Sequence, residues 1–314
     1  MRIFATKSVA IRVRTRSRTK SLNQFNQQKT MKHFILSTLA FIVAASPLIA
    51  QPEIKAPAGR IAIVADGNSP DPDDLGGTAV SLALLRVAGL EDRLVHYSHS
   101  CDLVRRGPRI SERAEIERHA LMQASCDVTA RRWGGFDDLD FLDAKWEQEK
   151  TVADLTAAIN ASTKKDPLWI VEAGEPDIIG LALDASKKKK HKHVKVVTHH
   201  PANDNAGDFY TWQQILDFGI EEVRIPDQNT KLKVDLEKWD WALHHPDPRI
   251  QQVWLQGKIA EVDDVVKFQK GKWDCSDAGM VLYWITGATN GGLAEGNVED
   301  VKALLTGFVA DNPE

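Results

Sequence analysis

The sequence predicts an α/β domain in which a parallel sheet is covered by helices. Three observations carry this. Strand-like and helix-like segments alternate from residue 60, the first strand-like run is apolar after its opening Arg60, and an acidic loop joins that run to the first helix-like segment. Arg60 to Ala65 (RIAIVA) reads as a buried first strand, and Leu75 to Val87 repeats apolar residues at helical spacing. Arg93 to His99, Leu168 to Ala173 (LWIVEA), Val194 to Thr198 (VKVVT) and the short Glu222 to Ile225 are the following strands. Helical patterns fit Ser111 to Ser125, Ala144 to Ala161, Pro176 to Ser186, Thr211 to Phe218, Asp277 to Thr286 and Val298 to Phe308. Hydrophobic residues make up 43% of the 314, enough for one large α/β domain or two small ones. The pattern divides the chain into a leader over 1–50, a Pro-containing linker over 51–59 and one domain over 60–314.

The leader differs in chemistry from the rest. Nine of the 40 Lys and Arg residues fall in Met1 to Ala50, which has no Asp or Glu, so the remainder sets 31 basic against 44 acidic side chains, a formal charge of −13. A body that acidic is a poor polyanion binder, because each phosphate contact requires a cation, and nucleic acid is not an expected partner. From Met31 the order is Lys32 and His33, an apolar run from Phe34 to Ala45, then small residues near Ala45 and Ala50. That is the anatomy of a secretory signal, too short to span a bilayer, with Met31 as the expected start of translation. Export to the periplasm or outside the cell is expected, with no membrane span after cleavage. A homo-oligomer is compatible with the sequence.

Cys101, Cys126 and Cys275 lack the paired spacing of a zinc site, and read either as one disulfide plus a free thiol or as small buried apolar residues. The run KKKKHKH, Lys187 to His193, stands between a helix and a strand, where a solvated cationic turn is expected at the helix's C-terminal end. Trp169, Trp241 and Trp284 fall in apolar patterns and read as core.

The chemistry concentrates in Asp66-Gly67-Asn68-Ser69-Pro70-Asp71-Pro72-Asp73-Asp74. This segment leaves the first strand at the carboxyl edge of a parallel sheet, where open α/β folds bind ligands. Asp66, Asp71, Asp73 and Asp74 repel one another unless a cation or shared protons compensate. Oxygen ligands with no His or Cys nearby suit calcium or magnesium rather than zinc. Turn formation by Asn, Asp, Pro and Gly is the competing reading.

The segment resembles the Asp-x-Asp-Pro-Gly-x-Asp-Asp signature of the nucleoside hydrolases, of the inosine-uridine-preferring type, and is nearer to their secreted bacterial nucleoside-hydrolase-like branch. Three further blocks follow in the family's order: Leu168 to Leu183 (LWIVEAGEPDIIGLAL), Val196 to Trp212 (VVTHHPANDNAGDFYTW) and Trp273 to Gly287 (WDCSDAGMVLYWITG). The resemblance spans most of Arg60 to Gly287. It implies a Rossmann-like open, mostly parallel sheet flanked by helices, an active-site Ca2+, and hydrolysis of an N-glycosidic bond in a nucleoside or related small-molecule sugar derivative. It implies that Asp73 holds sugar hydroxyls and that Asp74 and Asp277 ligate calcium, with Asp274 as the alternative to Asp277. A loop carbonyl near Gly174 or Glu175 would join them, and Asn203, Asp204 and Asn205 would contact the sugar.

The sequence departs from that pattern in three places. Asn68 stands where the family's second Asp binds metal and activates water; its carbonyl can ligate a cation but cannot act as a base. The base role is therefore left to Asp66 or Asp71. One extra residue precedes the Asp pair, and the motif's Gly is missing from its usual place. Ser276 stands where a His often protonates the leaving purine, with His199 and His200 as substitutes. These departures keep two other functions open: a secreted glycoside hydrolase of different specificity, and a carbohydrate-binding protein that retains the metal without catalysis.

Overall fold

A computed structural model describes residues 51–68, 74–105, 110–262, 271–287 and 292–313. The predicted alternation becomes β1 (Arg60–Ala65), α1 (Asp74–Val87), β2 (Leu94–His99), α2 (Glu112–Trp133), β3 (Phe141–Asp143), α3 (Gln148–Ala161), β4 (Leu168–Ala173), α4 (Asp177–Ala185) and β5 (Val194–Thr198). Next come α5 (Pro201–Asp204), α6 (Trp212–Asp217), β6 (Glu221–Arg224), α7 (Asn229–Leu232), β7 (Lys233–Asp235), α8 (Asp240–Leu243), α9 (Pro248–Val262), β8 (Lys272–Asp274), α10 (Ala278–Ile285) and α11 (Val298–Asp311). Six strands form one sheet in the order β3-β2-β1-β4-β5-β6. Every neighbouring pair in it is parallel. β7 and β8 form a separate antiparallel pair. This is the mostly parallel, helix-flanked α/β sheet that the sequence predicts.

The central strands are buried on both faces, with alternate residues pointing to opposite sides and into two separate cores. Ile61, Ile63, Trp169 and Val171 face a core shared with Val80 and Leu84 of α1, Val281 and Trp284 of α10, and Leu304 of α11. Ala62, Val64, Leu168 and Ile170 face a second core with Leu155 and Ile159 of α3, Ile178 and Leu183 of α4, and Ile215 of α6. Strands buried on both faces read as continuous apolar runs, which is why RIAIVA and LWIVEA are legible in the sequence. Trp169 and Trp284 are core as expected, and Trp241 is partly buried against the same core.

The differences lie in short or continued elements. β3, β7 and β8 have three residues each, too few for a periodicity to register. α2 runs on to Trp133 and stops where Gly134 takes a positive φ of 70°. α3 begins only at Gln148, because the Oδ1 of Asp143 accepts the amides of Lys145 and Trp146 and shapes a turn there. The lysine-rich run is a 3-10 turn over Lys188–His193 in which His191 alone is buried, bonded to Ser186 Oγ and Phe218 O. All three cysteines are buried and none is in a disulfide, and burial pushes the thiols of Cys101 and Cys126 well up. No helix among the described residues is long and apolar enough to cross a membrane. The leader, Met1 to Ala50, lies outside the described residues.

Candidate functional site

The chain leaves β1 toward β2 on one side and finds β4 on the other, so the direction of winding reverses between β1 and β4. Such a switch point opens a crevice beyond the carboxyl ends of the two strands. Asp66 follows β1 directly. Its amide donates to Ala173 O at 3.0 Å, and its carbonyl accepts from the Ser100 amide at 2.8 Å, fixing residue 66 between the exits of β4 and β2. The Gly67 amide donates to the Asp66 carboxylate. Gly174, at the exit of β4, lies so close that a Cβ there would stand 2.7 Å from Asp66 Cβ and 2.8 Å from both Asp66 N and Cys101 Sγ.

Asn68 is fully buried, with Nδ2 donating to Asp102 O at 3.0 Å and Oδ1 accepting from Asp102 N at 3.2 Å. This two-armed amide pins the loop after β1 to the loop after β2. An Asp could not supply the donor, which gives the Asn a structural reason to be there. Asp71 and Asp73 lie outside the described residues. Asp74 opens α1 and is 2% exposed; Asp277, just before α10, is 7% exposed. The first turn of α1 lies against Asp277, since a Cβ on Gly77 would be 3.7 Å from Asp277 Cβ.

The fields of these groups overlap. The buried Cys101 thiol is pushed up by burial first and then by Asp66, Asp102, Asp74 and Glu172. The Tyr97 hydroxyl, bonded to Thr78 Oγ1 at 2.6 Å, is raised by burial and by Cys126, with Asp74 and Asp277 adding to the effect. Asp66, Asp74 and Asp277, some 200 residues apart at the extremes, therefore share one end of the sheet. Asp274 is held differently: Oδ1 accepts from Ser276 N at 3.0 Å and Oδ2 meets Lys233 Nζ at 3.1 Å.

Glu172 is the acid that sequence reading passed over. It lies inside β4, is completely buried, and neither carboxylate oxygen has a hydrogen-bond partner of good geometry among the described residues. The Thr198 hydroxyl approaches it but donates to Asp204 Oδ1 at 2.6 Å. Burial pushes its carboxyl well above the usual range, Asp204 and Asp277 push the same way, and Thr198 and Arg224 oppose them. The available signal was a single charge inside the otherwise apolar LWIVEA.

The expected sugar-contact segment is α5 with its flanks. Asp204 turns inward, taking Thr198 Oγ1 on one oxygen and Arg224 on the other at 2.6 Å. Asn205 is exposed, with Nδ2 tied back to Pro201 O, and Asn203 is half-buried. His199 is buried, with Nε2 2.9 Å from Asp277 Oδ1 and Nδ1 accepting from Gln228 N at 3.3 Å. Burial pushes its imidazole down, but the hydrogen bond and charge of Asp277, with Asp227 and Asp274, outweigh that and raise it. His200 caps α5, its Nδ1 accepting from Ala202 N.

Glu175, nearly fully buried, groups with two acids not singled out in the sequence. One oxygen each from Glu175, Asp177 and Asp208 lie within 4.8 Å of one another, close enough for one cation. The carboxylate of Asp177 also accepts the amides of Asp208, Phe209 and Tyr210, at 2.8 to 3.0 Å, which orders the loop carrying Asp208.

No known family model matches the chain. Among solved structures it is similar to a plant nucleoside hydrolase, the PpNRh1 enzyme, with a TM-score of 0.46 and 10% identity over 73% of this chain and 79% of that one. It is 74% identical over 263 residues to uncharacterized protein P22 of Formosa agariphila, a match covering 84% of this chain and 96% of the relative. At that identity and coverage, the chain belongs to the same family as uncharacterized protein P22.

Proposed function

We propose that the protein hydrolyses the N-glycosidic bond of a nucleoside or related sugar derivative at the crevice between β1 and β4, with a hard divalent cation, calcium by the sequence resemblance. The observation that carries this reading is the gathering of Asp66, Asp74, Glu172 and Asp277 at one buried end of the sheet. Carboxylates brought together out of water raise one another's proton affinity unless a cation compensates. The donors are all oxygens, so the set fits calcium or magnesium. Asp66, Asp74 and Asp277 would hold the ion, which when bound would orient water and the sugar diol.

The chain's own residues divide the remaining work. Asp66, fixed by backbone bonds to the exits of β2 and β4, takes the proton of the attacking water. The ionised carboxylates around the crevice stabilise the positive charge that develops on the sugar ring as the bond to the leaving nitrogen breaks. His199 orients Asp277 through its 2.9 Å bond. Because His199 is committed to Asp277 and Ser276 is a poor acid, activated leaving groups depart fastest.

A specific observation favours a second location for the ion: the Glu175, Asp177 and Asp208 oxygens are already within 4.8 Å of one another. The two are separated by calorimetric calcium titration of chelated protein. Asp74→Asn and Asp277→Asn should each weaken binding at least about tenfold, roughly 1.4 kcal/mol, with Asp208→Asn unchanged. The opposite pattern moves the ion to the second location. Incubation with inosine, uridine and nitrophenyl riboside, followed by assay of free ribose, tests the activity itself. Sugar binding without release from any of them would replace hydrolysis by the carbohydrate-binding reading. The basic, apolar and small-residue order of Met31 to Ala50 supports export of the protein.

A further inference from the structure

The exit of β2 is the one place among the described residues where a non-glycine residue takes a positive φ: Ser100, at 60°, completely buried. A side chain in that left-handed region is disfavoured, and glycine would occupy it without the penalty. Residues forced into such conformations persist where the surroundings hold them, and they gather at functional sites. The effect of the turn is visible in the backbone. Successive amides of a regular strand point to opposite sides, yet those of Ser100 and Cys101 both donate to the end of β1, to Asp66 O at 2.8 Å and Ala65 O at 3.1 Å.

A chain of hydrogen bonds from α2 shows what the serine adds. Asp127 Oδ1, an acceptor, takes Gln123 Nε2 at 3.0 Å, which leaves Gln123 Oε1 facing His99 Nε2, also at 3.0 Å. An amide oxygen can only accept, so Nε2 carries the ring proton and Nδ1 is bare. Burial pushes this imidazole below its ordinary value, which keeps it neutral. Nδ1 lies 2.9 Å from Ser100 Oγ and therefore accepts the Ser100 hydroxyl. His99 is itself fully buried, so the far end of the tie is held by β2 and α2 together. Glycine at 100 would supply the turn but not this tie, which gives the serine a reason to be there.

We infer that His99 is a positioning residue for Asp66, acting through Ser100: the imidazole takes the Ser100 hydroxyl, the bond locks the left-handed turn, and the turn aims the Ser100 amide at the Asp66 carbonyl. Its bearing on turnover rests on the proposed role of Asp66 as the group that takes the proton of the attacking water. The locking of the turn does not.

The test reads amide hydrogen exchange by NMR on the full chain in chelator, together with kcat and KM on nitrophenyl riboside. His99→Leu removes the acceptor and Ser100→Ala removes the donor. His99→Asn is the conservative variant, since its Oδ1 can stand where Nδ1 does and accept the hydroxyl. The amide of residue 100 should exchange at least about tenfold faster in His99→Leu and in Ser100→Ala, with the amides of β1 unchanged, and His99→Asn should keep most of the protection. In the same two variants kcat should fall about ten- to hundredfold while KM stays within about twofold, with recovery in His99→Asn. Unchanged exchange at residue 100 in both variants overturns the inference. Equal acceleration throughout β1 also overturns it, because that is a general loss of stability, and so does His99→Asn behaving like His99→Leu. Unchanged kcat in His99→Leu, with a parent that hydrolyses the probe, removes the link to turnover. A parent that releases no ribose ends the hydrolytic reading instead, and the exchange result then decides the positioning by itself.

Discussion

Replacing Gly174 by Ala tests whether the exit of β4 must touch Asp66. Gly174 has a φ of 154°, and its added Cβ would meet Asp66 Cβ at 2.7 Å, Asp66 N at 2.8 Å and Cys101 Sγ at 2.8 Å. Two of the three atoms are backbone or next to it, in a segment tied by Asp66 N to Ala173 O, so the clash cannot be relieved by a rotamer change. Overpacking of this kind costs about 1–3 kcal/mol, and the sparsely populated backbone region adds about 1–3 kcal/mol. The sum, about 2–6 kcal/mol, corresponds to a Tm lower by roughly 5–20 °C in a domain this size. Gly89→Ala is the control, because Gly89 has a φ of 63° with nothing within 4 Å of its added Cβ, leaving only the backbone cost of about 1–2 kcal/mol. Urea unfolding of the two variants beside the parent measures the difference. If Gly174→Ala loses no more stability than Gly89→Ala, the close approach that positions Asp66 is refuted.

Four other outcomes follow. Glu172→Gln should remove a penalty whose sign is set by burial: the folded carboxyl is raised, so the parent loses stability relative to the variant as pH rises above the unfolded value near 4.3. While the acid stays neutral in the fold, that gap widens by about 1.4 kcal/mol per pH unit, and parallel stability curves in chelator between pH 5 and 7 would contradict it. Asn68→Asp removes the donor to Asp102 O and should cost about 1–3 kcal/mol by chemical denaturation, whereas an unchanged midpoint would mean the amide bridge contributes nothing. Nitrophenyl riboside should be hydrolysed faster than inosine; equal kcat/KM would require an acid at the leaving group, with His199 or His200 the first to substitute. Mass spectrometry of natively produced protein should find a mature start between Ser46 and Gln51, and an intact Met1 on a soluble form would end the export reading.

The strands that matter most for the fold were legible because their burial is written as composition. RIAIVA, LWIVEA and VKVVT are buried on both faces, so each carries an apolar run that no turn or exposed helix would. The same logic located Asp66 and Asp74, since a loop that leaves the first strand of a parallel sheet must sit at its carboxyl edge. Sequence also showed that this edge is acidic at Asp66 and Asp74, but that His199 stands beside Asp277 and Cys101 beside Asp66 there came only from the tertiary structure.

What sequence could not give is which distant side chains share an atom-scale neighbourhood. The strand order β3-β2-β1-β4-β5-β6 brings the buried Glu172, Thr198 and Asp204 into one chain that ends on the exposed Arg224. Asn68 and Asp102, 34 residues apart, become one amide bridge only because β1 and β2 are neighbours. The hydrogen bond between Asp143 and His119 is invisible for the same reason, as β3 is three residues long and its partner lies on the preceding helix. Local composition decides burial and secondary structure, since both depend on residues a few positions apart. The pairing of buried polar atoms depends on strand order and helix docking, which are set by the packing of the whole chain.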